Sequence, residues 1–68
     1  MEAVQLEEIL TVTHPAEIAL IKSILDGENI HYVAQGENHS SLEGNFPVRF
    51  LVAARDVGRA RDVLVDFL

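Results

Sequence analysis

The chain has 68 residues, 49% of them hydrophobic, with eleven acidic side chains against five basic ones, a formal net charge of −6 and no cysteine. That size allows one domain, 1–68, and that apolar content excludes a disordered tail. The missing cysteines exclude a disulfide framework and a thiolate nucleophile, and the acidic balance disfavours nucleic acid, whose phosphates call for Lys and Arg.

The first predicted strand is Ile9 to Thr13, β-branched and apolar, with Glu7 and Glu8 blurring any alternation back toward Val4. His14-Pro15 ends it. Pro15 suits the first position of a helix, where its missing N–H costs nothing, so Thr13 or His14 is the cap. The first helix runs from Pro15 to about Glu28. Ile18, Ile21 and Leu25 fall at helical spacing with Leu20 and Ile24 beside them, and Lys22 and Asp26 form an i, i+4 pair. Asn29 reads as a left-handed cap, followed by the apolar Ile30 that commonly accompanies one.

The second strand spans Ile30 to Gln35. Ile30, Tyr32 and Ala34 point one way, and His31, Val33 and Gln35 the other. A polar, glycine-bearing segment without periodicity then leads to the third strand, Val48 to Ala54. There Val48, Phe50, Val52 and Ala54 share one face, and Arg49, Leu51 and Ala53 the other. Asp56 caps a second helix whose apolar stripe is Val57, Ala60, Leu64 and Phe67, flanked by Val63 and Leu68.

Strand, helix, strand, strand, helix is a split βαβ unit with a helix added, an α+β ferredoxin-like sandwich. The expected antiparallel sheet has three strands in the order 1-3-2, with both helices on one face. The complete fold pairs a fourth strand beside the first; here that edge is expected open, which invites pairing. The face away from the helices should carry Ile9, Val33, Leu51 and Ala53 with Thr11, His31 and Arg49. A freely solvated face is more polar than that. The expectation is a homo-oligomer, dimer or trimer, with Ile9, His31, Val33, Leu51 and Ala53 at its interface.

Three segments carry a family resemblance: THPAEIALIKSILDGENIHYVAQGE, VRFLVAARD, and Ala60-Arg61 with Val63-Leu64. They resemble the turn, Glu-bearing helix start, Leu/Ile-rich helix and Gln-Gly-Glu strand end of a small bacterial domain of unknown function. That family is described as a "putative prokaryotic signal-transducing protein" and is grouped with the PII-like fold. The likeness covers Ile9 to Phe67. His14 stands where Asn or Asp is usual, and Asn29 where Gly is usual. The resemblance implies trimers with sheets facing the threefold axis, ligands or metals near loops between subunits, and a loop after strand two that touches a partner protein. Gly36 to Phe46 occupies that place, far shorter than a true PII loop and without a nucleotide-binding signature.

No catalytic constellation stands out. His14, His31 and His39 are spaced by 17 and 8 with no cysteine, unlike a compact zinc motif. The alternative function, a metal-binding protein, rests on His31 at a symmetry axis. Ser40 and Ser41 beside His39 make no triad by adjacency alone, and Glu37 and Glu43 sit in a polar loop that offers little burial to separate their pKa values. The loop lacks the lysine and the following helix of a phosphate loop. Arg49, Arg55, Arg59 and Arg61, interleaved with Asp56, Asp62 and Asp66, read as solvated charge.

The reading is therefore a non-enzymatic regulatory module that binds a small ligand or a protein partner, with no cofactor. Gln35, Gly36, Glu37, His39, Leu42, Phe46 and Arg49 are its candidate binding residues. A plain connecting loop fits the same segment equally well. No apolar run reaches the ~20 residues that span a bilayer, and Glu2, Glu7 and Glu8 without basic residues argue against a secretory leader. The expected setting is the cytoplasm, with no membrane or nucleic-acid partner.

Overall fold

A computed structural model describes residues 5–36 and 47–68. Strand β1 is Leu6–Val12, helix α1 Pro15–Gly27, strand β2 Tyr32–Gln35, strand β3 Val48–Ala53 and helix α2 Val57–Val63. Short 3₁₀ turns at Ala54–Asp56 and Val65–Phe67 flank α2. The sheet order is β1-β3-β2, with β3 antiparallel to both neighbours. The α+β order and the 1-3-2 sheet are as the sequence predicts, and the arrangement is compatible with the ferredoxin-like, PII-like assignment. Among the described residues, no helix is long and apolar enough to cross a membrane.

The helices cover one face. Ile21 and Leu25 of α1, Ala60 of α2 and Leu64 just beyond it pack with Val48, Phe50 and Val52 of β3, and with Ile9 and Ile30. Phe50, Ile21, Leu25, Leu64 and Val52 are fully buried. Each such side chain contributes about 1.5–3 kcal/mol by leaving water. Tyr32 stacks obliquely on Phe50, ring centroids 5.8 Å apart, a spacing at which aromatic pairs attract.

The sequence reading of β1 needs one correction. Plain alternation puts Ile9 on the helix-free face. In the structure Glu8 pairs with Leu51 and Leu10 with Phe50, so Ile9 is an extra residue in a β-bulge. The bulge turns Ile9 into the helix-side core, where it is buried beside Phe50. It also exchanges the faces upstream, leaving Leu6 and Glu8 on the helix-free side.

The ends of α1 follow their residues. Nδ1 of His14 accepts from the Ala16 N–H at 3.2 Å, and Pro15 begins the helix. At the other end Asn29 has φ +61°. The Asn29 N–H donates to the Asp26 carbonyl and the Ile30 N–H to the Leu25 carbonyl, a Schellman closure whose apolar contact is Ile30 on Leu25. The start of α2 departs from expectation. Ala54 leaves the strand for a 3₁₀ turn, and Asp56 occupies the cap position without a side-chain cap bond. Its carboxylate lies 3.8 Å from Arg59 instead, and Arg59 also donates to the Glu28 carbonyl at the end of α1.

Gly36 closes β2 with φ +95°, and a Cβ there would sit 2.6 Å from the Pro47 carbonyl oxygen. Gly36→Ala is therefore expected to lower the unfolding free energy by about 1–3 kcal/mol. Asn29→Gly, which relieves a left-handed residue in open surroundings, should cost nothing or stabilise by less than about 1 kcal/mol. Urea denaturation of the two variants checks both signs.

Candidate functional site

The face without helices is the second working surface of the sheet. Antiparallel register sets its rows. Thr11 pairs with Arg49 and Arg49 with Gln35; Glu8 pairs with Leu51 and Leu51 with Val33; Leu6 pairs with Ala53, next to His31. One end of the face is thus polar and the other apolar.

At the polar end, Glu8 is held from two sides. Its Oε1 accepts from Arg49 Nε at 3.0 Å and its Oε2 from the Thr11 hydroxyl at 2.9 Å. Both charged side chains are about half exposed, 52% for Arg49 and 44% for Glu8. Water screens such a pair, so it adds little to stability, of order 0.2–1 kcal/mol. What it fixes is geometry: Glu8 ties Arg49 of β3 to Thr11 of β1 across the sheet face.

At the apolar end, Leu51 and Ala53 are buried, but Leu6 and Val33 are left 44% and 41% exposed. This end opens into a cleft of about 240 Å³ lined by Leu6, His31, Tyr32, Val33, Ala53, Arg55 and Asp56. The strand ends position Leu6, His31, Val33 and Ala53, and the 3₁₀ turn after β3 brings in Arg55 and Asp56. The Tyr32 phenol stands above its ordinary pKa, first because it is partly buried and second because Asp26 is nearby.

Of the expected interface residues, Val33, Leu51 and Ala53 share the helix-free face with His31 at its rim, while Ile9 belongs to the core. Of the expected binding residues, Gln35 and Arg49 lie side by side on that same face, and Gly36 ends β2 beside them. Glu37, His39, Leu42 and Phe46 lie outside the described residues. Among the described residues, no three His, Asp or Glu side chains cluster as metal ligands would. Leu6 and Arg55 were not legible as site residues. Leu6 reaches this face only because of the bulge, whose trace in the sequence is the broken alternation at Glu7-Glu8. Arg55 arrives only because β3 ends one residue early.

The sequence pattern of one family, described as "Putative prokaryotic signal transducing protein", matches residues 6–67. No curated protein matches the chain.

The raised phenol of Tyr32 makes a pH prediction. An unfolded chain loses its phenol proton near pH 10, whereas the folded one holds it to higher pH. The stability present below pH 10 should therefore decline as pH rises through the folded value. Tyr32→Phe should flatten that decline. Ultraviolet difference titration reads the group directly, because the chain has one tyrosine and no tryptophan.

Proposed function

The chain belongs to that family, and we propose that it serves signal transduction as a non-enzymatic regulatory module that works as a small homo-oligomer. The observation that carries the reading is the apolar end of the helix-free face: Leu6, Val33, Leu51 and Ala53 side by side, two of them substantially exposed. One face of an antiparallel sheet is commonly left to water, and then it is polar. A contiguous apolar group in its place marks a surface meant for contact.

A second copy is the occupant this reading takes, since a symmetric contact needs only the patch already present. In a symmetric pair the same patch serves both partners, so apolar end meets apolar end and the Glu8-Arg49-Thr11 set rims the contact. Association also suits a chain of this length, whose own core can bury only roughly 60% of the unfolded surface. The module is read as non-enzymatic, because recognition is what the polar and apolar groups of this face suit. A cytoplasmic setting agrees with the absence of cysteine.

Sedimentation equilibrium tests the reading. The wild-type chain should sediment as a dimer or trimer that dissociates on dilution. Val33→Asp places a carboxylate on the partly exposed rim, where a monomer tolerates it and an interface does not. That variant should keep its circular dichroism and associate at least about a hundredfold more weakly. Leu51→Asp should dissociate or unfold the protein, whereas Ser40→Ala should leave association unchanged. A wild-type monomer at all concentrations, or a folded Val33→Asp chain of wild-type mass, would contradict the proposal.

A further inference from the structure

The cleft at the apolar end has a polarity that self-association does not use. Its floor is apolar, made by Leu6, Val33 and Ala53, while Arg55 and His31 stand exposed among its lining residues. Its one carboxylate, Asp56, is opposed by Arg59 at 3.8 Å. Arg55 has no ion-pair partner among the described residues, whereas Arg49 and Arg59 both do. Asp56 and Arg59 offset one another, so the local balance is the single positive charge of Arg55, on a chain whose net charge is −6.

Such a pairing of an apolar floor with a guanidinium that has no ion-pair partner among the described residues has a defined chemical complement. We infer that the cleft binds a small anionic amphipath, with a carboxylate or phosphate head on Arg55 and a short apolar body on Leu6, Val33 and Ala53. Arg presents a planar fork of donors suited to either head group, and the ring N–H of His31 is a second donor. At about 240 Å³ the cleft exceeds the ~150 Å³ apolar cavity that admits benzene, so a chain of several carbons fits. All lining residues belong to one chain, and because Leu6, Val33 and Ala53 also form the proposed contact, the amphipath and a second copy compete for the same floor.

Titration of the full chain with sodium hexanoate, followed by amide chemical shifts, tests the site. Saturable shifts are expected at Leu6, Val33, Ala53 and Arg55. Arg55→Gln should weaken binding about tenfold, whereas Arg61→Gln, outside the cleft, should not change it. Hexyl phosphate should bind at the same residues, and inorganic phosphate at least about tenfold more weakly, since it lacks the apolar body. Hexylamine should not compete. The inference is overturned by hexanoate shifts that do not saturate, by unchanged affinity in Arg55→Gln, by inorganic phosphate binding as well as hexyl phosphate, or by hexylamine binding more tightly, which would make Asp56 the recognising charge. Sedimentation of the same samples reads the oligomer separately, so a monomeric chain that binds hexanoate would remove the association and keep the site.

Discussion

The structure depends on one strand that is apolar on both faces. Along β3, from Val48 to Ala53, only Arg49 is exposed. Val48, Phe50 and Val52 take the helices, and Leu51 and Ala53 face the other way. Because β3 pairs with both other strands, its two faces decide what every neighbouring residue can do. On the helix side the result is a closed core around Phe50. On the far side two buried side chains are bordered by Leu6 and Val33, which no described element covers completely. The same alternation that builds the core therefore leaves a surface with a preference for contact.

The β-bulge at Ile9 converts that preference into a shaped site. Without the bulge, a plainly alternating β1 that paired Ile9 would turn Leu6 and Glu8 toward the helices, where Glu8 would face an apolar layer. With it, Glu8 meets Arg49 and Thr11, and Leu6 extends the apolar end beside Ala53. One inserted residue separates a polar end, which orients, from an apolar end, which can be covered. The bulge and the adjacent glutamates also blunt β1 as an edge strand and discourage uncontrolled pairing there.

Much of this was legible in the sequence. The caps of α1 could be read because each rests on local chemistry: Pro15 at the helix start, and Asn29 followed by Ile30 at its end. The faces of β2 and β3 could be read because alternation along them is unbroken. What escaped was whatever depends on register. Ile9 was assigned to the wrong face, since a bulge is a relation between two strands and leaves only a blurred pattern in one. Asp56 was read as a cap, but it turns to Arg59, because the 3₁₀ turn at Ala54–Asp56 changes the approach to α2. The cleft could not be seen at all, since its lining residues come from three separate stretches of chain that only the fold brings together.

The central claim is that the apolar end of the helix-free face is covered in the working protein. The most direct measurement is the relaxation of methyl groups by a soluble paramagnetic agent on the wild-type protein at associating concentration. Val65 and Leu68, 65% and 60% exposed, serve as internal references for open methyls. The account predicts that Leu6 and Val33 are markedly protected relative to those two, although their exposure in the single chain is 44% and 41%. Relaxation of Leu6 and Val33 in proportion to that single-chain exposure would show the face open to water and would contradict the account.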